Sequence, residues 1–186
     1  MLTDEVVQGE FERIAFNKTV RKWCKKGRDE AREKHPDWWL EILRLGAPKR
    51  VAIHWAARQS DVFFEYSGLS NMVSGQIDVW IDSRMPIEDL RALLAHEVAH
   101  FIAIAIPGKW RWLKHYGKFR VAYSQVVELI YGVSIPPKEL LYGDRGKWSE
   151  SDTRRVARAL KAVMDGVSLP VVEDCKRMEV IGHDQG

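Results

Sequence analysis

Residues 86–108 read PIEDLRALLAHEVAHFIAIAIPG. Pro86 suits the first turn of a helix, where a missing N–H costs nothing. Glu88 and Asp89 favour the positive end of the helix dipole. Pro107-Gly108 closes the segment, so the sequence predicts a helix from Pro86 to about Ile106. Leu90, Leu94, Val98, Phe101 and Ala105 form one stripe, and most of the remaining positions are apolar too. A helix apolar on nearly every side belongs in the interior, and the fold is organised around it.

Inside this apolar helix stand His96, Glu97 and His100, in the pattern His-Glu-x-x-His. Residues four apart lie one turn apart on one face, so His96 and His100 can share one metal ion. Glu97 lies beside that face, poorly placed as a further ligand but within reach of a water on the metal. Neutral imidazoles suit zinc, zinc brings the pKa of a bound water towards neutrality, and a nearby carboxylate can take the proton and pass it to a leaving amine. The competing reading is two core histidines satisfied by ordinary hydrogen bonds. Burying three polar side chains without partners would cost about 1–3 kcal/mol each, which favours the metal reading.

A catalytic zinc needs three protein ligands and an open position. His115 is the leading candidate for the third ligand. It follows a short connector and stands just before a second predicted helix, about residues 117–131, with Glu128 on that helix as its rival. Phe119, Ala122, Tyr123, Val126, Val127 and Ile130 recur there at helical spacing, and Gly132 is a natural C-cap. Tyr116 and Tyr123 are candidate hydrogen-bond donors to a tetrahedral oxyanion, though each is more often a core or rim aromatic. Asp78, Asp82 and Glu128 are candidate carboxylates to hold the histidine rings.

Upstream, Val51, Ile53 and Trp55 alternate with Ala52 and His54. Residues 62–66 form a short aromatic and β-branched run. Ile77, Val79 and Ile81 alternate with Gln76, Asp78, Trp80 and Asp82. Ser67-Gly68 and Ser74-Gly75 read as turns. Three short strands in an antiparallel meander are expected, the last bordering the cleft with a free edge on which an extended peptide could pair. Residues 4–34 are helix-permissive, with a partial stripe of Phe11, Ile14, Ala15, Lys18 and Trp23 and a break at Gly27. A short helix around Trp38, Trp39, Ile42 and Leu43 is expected before Gly46-Ala47-Pro48. Ser149 with Asp152 resembles a capping box opening a last helix that runs to about Asp165-Gly166.

His96-Glu97-x-x-His100, followed by His115, Phe119, Tyr123 and Gly132, resembles the small SprT-like and phage or actinobacterial metallohydrolases. Their HExxH helix precedes a segment of the form H-G-x-x-F, with a Tyr four residues after the Phe and a Gly closing the helix. This chain departs in one place: Tyr116 follows His115 directly and Gly117 comes next. The resemblance covers about residues 75–132. It implies His115 as third zinc ligand, Glu97 as catalytic base, and an α+β, zincin-like fold with a small antiparallel three-stranded sheet packed on the central HExxH helix and further helices. No zinc ribbon follows the motif, so the family's DNA-repair role is not implied.

The bulk properties agree with a water-soluble domain. The chain has 186 residues, 46% hydrophobic and 30% charged, with a formal charge of +3. That length suits one domain spanning 1–186, its core at about 48–135 between helical flanks. Cys24 and Cys175 are far apart and form neither a CxxC pair nor a disulfide framework, which points to a reducing compartment. No signal-peptide pattern opens the chain and no apolar run is long enough to span a bilayer, so the expected location is cytoplasmic. Lys18, Arg21, Lys22, Lys25, Lys26 and Arg28 could meet nucleic-acid phosphates, but the acids that follow favour a solvated helix face. Residues 110–114, with two Trp, are either a cleft wall or a core seal. His35, His54 and His183 have no motif context.

The sequence thus leads to a zinc-dependent metallopeptidase in which Glu97 activates a zinc-bound water against a peptide or protein substrate. The alternatives are a zinc hydrolase of a non-protein amide, and a non-enzymatic domain in which zinc supports nucleic-acid or protein binding.

Overall fold

The computed structural model describes residues 1–34, 46–55, 67–72, 74–104, 117–140 and 152–167. Those residues form a mixed α+β fold of five helices and one three-stranded sheet. The expected helix around residues 38–43 and the expected strand at 62–66 lie outside the described residues.

Helix α1 (Asp4–Ala15) starts at Thr3, whose hydroxyl accepts a hydrogen bond from the Val6 N–H, and it buries Val7, Phe11, Ile14 and Ala15. Helix α2 (Lys18–Lys34) runs straight through Gly27. The expected break falls ten residues earlier, at Asn17. Its side-chain oxygen accepts from the Thr19 and Val20 N–H groups at 2.9 and 3.3 Å, the work of an N-cap. Gly27 serves packing instead, because a Cβ there would collide with the Ile102 carbonyl. The basic side chains Lys18, Arg21, Lys22, Lys25 and Lys26 lie on the exposed surface of α2, and Arg28 pairs with Asp29 at 3.2 Å.

The sheet contains β1 (Arg50–Trp55), β2 (Ser67–Asn71) and β3 (Gln76–Ile81) in the order β1-β3-β2. β3 pairs antiparallel with β2 but parallel with β1, so the expected antiparallel meander is replaced by a mixed sheet. Alternation reports which face of a strand is buried. It has the same period in parallel and antiparallel strands, so it carries no information on direction or neighbours. Ser67-Gly68, expected as a turn, opens β2. The turn at Ser74-Gly75 is present: the Gly75 N–H donates to the Asn71 carbonyl at 2.9 Å, and Gly75 has φ +71°. On β3, Ile77, Val79 and Ile81 are fully buried, while Gln76, Asp78 and Trp80 face the other way.

Helix α3 (Ile87–Ile102) follows Pro86 and has Glu88 and Asp89 in its first turn, as its sequence requires. It ends at Ile102, one turn before the expected end, with Ala103 as C-cap. It lies against β2 and is packed by α1, α2, α4 (Lys118–Tyr131) and α5 (Asp152–Met164). Ten of its residues are buried, and the eight apolar ones join one hydrophobic cluster with side chains from every other helix and from β3. Gly132 closes α4 at φ +70° with its N–H on the Glu128 carbonyl, the left-handed cap that a glycine adopts most readily. Among the described residues no helix is long and apolar enough to cross a membrane.

Candidate functional site

Helix α3 carries His96 and Glu97 into the interior. They are 8% and 4% exposed, and with Ser124 they make up the buried polar or charged residues of the described chain. His100, one turn on, is half-buried. The His96 and His100 ring centroids stand 5.0 Å apart at 76°. Two imidazoles sharing one tetrahedral ion through nitrogens at about 2.0–2.1 Å would have centroids about 5 Å apart, so this spacing fits a shared metal.

Helix α4 supplies an aromatic wall. The Phe119 ring lies 4.8 Å from His96 and 4.5 Å from His100, and Tyr123 lies 5.4 Å from His96. This wall limits the rotamers open to the two imidazoles. The Tyr123 hydroxyl donates to the Ala92 carbonyl at 3.0 Å inside the core. That bond ties α4 to α3 one turn before His96, so in this geometry Tyr123 fastens the helix pair and its proton is not directed at a substrate oxygen.

Glu97 is held on its other side by β2. The Ser70 hydroxyl lies 2.6 Å from Glu97 Oε2 and 2.8 Å from the Glu97 main-chain oxygen, close enough to donate to either. Gly68, two residues earlier on the same face of the strand, packs directly on the carboxylate. A Cβ at that position would stand 2.6 Å from Glu97 Cγ and 2.7 Å from Cδ, and would overlap Oε1. Neither Gly68 nor Ser70 stood out in the sequence. The usable signal was a glycine within a strand, which often marks the close approach of another group, but Ser67-Gly68 reads as a turn until the pairing with Trp80 and Val79 is seen.

His115 and Tyr116, together with the tryptophan-bearing connector 110–114, lie outside the described residues. Among the described residues, no group of three or more His, Cys, Asp or Glu side chains could hold a metal ion. The described donors are therefore the imidazole pair. Glu128, the rival third ligand, is exposed on α4, well around the helix from Tyr123. Asp78 is on the sheet face opposite Gly68 and Ser70, where His54 Nε2 and Gln76 Nε2 both approach its Oδ1 at 2.9 Å. His54 also stacks on Trp80 with centroids 4.7 Å apart, so this pair builds the outer sheet face. Asp82 receives the Arg84 side chain at 2.7 and 3.1 Å. The cleft edge is also reassigned. β3 is the central strand, paired on both sides, and among the described residues the edge strand beside Glu97 is β2.

Lys118, at the start of α4, forms an ion pair with Glu30 on α2. The Lys118 ammonium holds the Glu30 carboxyl below its ordinary range. Burial pushes the Cys24 thiol up to about 12, which leaves it protonated and unreactive at neutral pH.

No family model matches the chain, and no curated protein and no solved structure matches it either.

Proposed function

We propose that the chain is a zinc-dependent metallopeptidase, with His96 and His100 as two metal ligands, His115 as the third, and Glu97 as general base. The observation that carries this reading is the composition of the buried polar set: among the described residues it is His96, Glu97 and Ser124, of which His96 and Glu97 are ionisable. Burying such groups is costly unless they have partners or a task. Their placement supports the reading as well. Glu97 sits between an imidazole pair at metal-sharing separation and the edge strand of the sheet.

The residues divide the work as follows. The imidazoles of His96 and His100 offer neutral nitrogen donors, oriented by the Phe119 wall. When bound, zinc supplies Lewis acidity to the scissile carbonyl and eases ionisation of water. Glu97 takes the proton of the attacking water and delivers it to the departing amine. An extended peptide adds to the outer edge of β2, which among the described residues pairs only with β3. Main-chain hydrogen bonds along that edge would bring the scissile bond alongside Glu97.

The test combines metal analysis with hydrolysis. Purified protein should hold about one zinc per chain, as a three-ligand catalytic site does. His96→Ala and His100→Ala should each lose it. Glu97→Gln should keep the zinc and lose cleavage of a peptide library. Wild-type zinc in both histidine variants, or full cleavage by Glu97→Gln, would overturn the proposal.

A further inference from the structure

Catalysis by a carboxylate depends on where its two oxygens are held, and here β2 touches both. Ser70 reaches Glu97 twice, at the main-chain oxygen and at Oε2, 2.8 and 2.6 Å away. The same hydroxyl therefore registers against the backbone and the side chain of one residue. Oε1 lies over Gly68, the position in β2 where no side chain intrudes. The register puts Gly68 opposite Val79 and Ser70 opposite Ile77, on the buried face of the sheet, so both contacts come from one stretch of edge strand.

We propose that Ser70 is the positioning residue for Glu97: its hydroxyl holds the carboxylate at Oε2, and the bare backbone at Gly68 lets the carboxylate seat against β2. This rests on the reading of Glu97 as general base. A strand at the cleft edge thereby acts on the base as well as on the substrate. A peptide adding to the outer edge of β2 would stiffen the same residues that hold Glu97.

The test compares Ser70→Ala with Ser70→Thr, which retains the hydroxyl and suits a strand. With a peptide identified from library cleavage, Ser70→Ala should lower kcat about 10- to 100-fold, the usual cost of removing a supporting hydrogen bond or of an ångström of misplacement. KM should stay within about twofold, since the hydroxyl does not touch substrate. Zinc content should be unchanged, and Ser70→Thr should recover most of the rate. In a Glu97→Gln background, Ser70→Ala should cost nothing further, because residues acting as a unit are not additive. Crystal structures of the two variants supply a readout that needs no activity: Glu97 should leave its place in Ser70→Ala and keep it in Ser70→Thr. Failure of the wild type to cleave any peptide would remove the proposed function, and those structures would still decide whether Ser70 positions Glu97. An unmoved Glu97 in Ser70→Ala, or an equal loss of kcat in Ser70→Thr, would overturn the inference.

Discussion

Gly68→Ala tests the packing at the centre of the site. The added Cβ would stand 2.6 Å from Glu97 Cγ and 2.7 Å from Cδ, whereas ordinary contact starts at 3.4 Å, a shortfall of about 0.7–0.8 Å. The position of Cγ is set by χ1 of Glu97, so relief requires an off-rotamer χ1, at about 0.5–1.5 kcal/mol, or a shift of β2 away from α3. Overpacking of this kind costs about 1–3 kcal/mol. The loss of unfolded-state entropy on replacing glycine returns about 0.4–1 kcal/mol. The net expectation is a destabilisation of about 1–2 kcal/mol, or a fall in Tm of about 2–8 °C for a chain of this length. Gly9→Ala is the control. Gly9 lies in α1 with nothing within 4 Å of an added Cβ, so that variant should gain about 0.5–1 kcal/mol. Thermal unfolding of the two variants beside wild type reads both signs. The Gly68→Ala protein should still bind zinc through its histidines while its peptide cleavage falls about 100-fold. Wild-type Tm together with undiminished cleavage in Gly68→Ala would refute the close approach of β2 to Glu97.

Two further predictions concern the frame around the site. Glu10 accepts from Arg91 Nε and Nη2 at 3.0 and 2.6 Å and from the Tyr131 hydroxyl at 3.4 Å, so it joins α1, α3 and α4 through a partly buried ion pair. Glu10→Ala should cost about 2–3 kcal/mol in urea unfolding at unchanged m-value, because it leaves the Arg91 guanidinium without its carboxylate; a loss under about 0.5 kcal/mol would show that the cluster is solvated. Lys118→Ala should cost under about 1 kcal/mol near neutral pH, since the pair with Glu30 is largely exposed. Glu30 has its folded-state pKa held down by Lys118, so the contribution is present above the ordinary Glu value and is lost as pH falls through the folded one. The difference between wild type and Lys118→Ala should therefore shrink as pH falls below the ordinary Glu value and vanish once Glu30 is protonated, and one that persists at about pH 2 would rule out the pair as its source.

The elements legible in the sequence are those whose signals are local. Helix α4 appears within one residue of its expected bounds, because apolar spacing and the Gly132 cap act within a few turns. The alternation at Ile77, Val79 and Ile81 identified the buried face of β3. Gly27 and Gly68 were both read as breaks and both lie inside regular elements. Their role is steric, set by Ile102 and Glu97 respectively, residues distant in sequence. β2 was missed for a related reason. Ser67-Gly68-Leu69-Ser70-Asn71 has little intrinsic strand preference, and pairing with β3 overrides it.

The residues around His96 show where the division falls. A four-residue spacing on a helix places His96 and His100 on one face, whatever surrounds them, so the imidazole pair was determined by sequence alone. An apolar helix that brings ionisable groups into the core was determined the same way, because burial follows from composition and period. The setting of Glu97 was decided by tertiary structure. Ser70 and Gly68 precede it by 27 and 29 positions, and they reach it because β2 pairs with β3 and lies against α3. Local periodicity selects elements and their buried faces. Which strand comes to lie beside a given helix is settled by the packing of the whole core, and it is that packing which brings an edge strand against the Glu97 carboxylate.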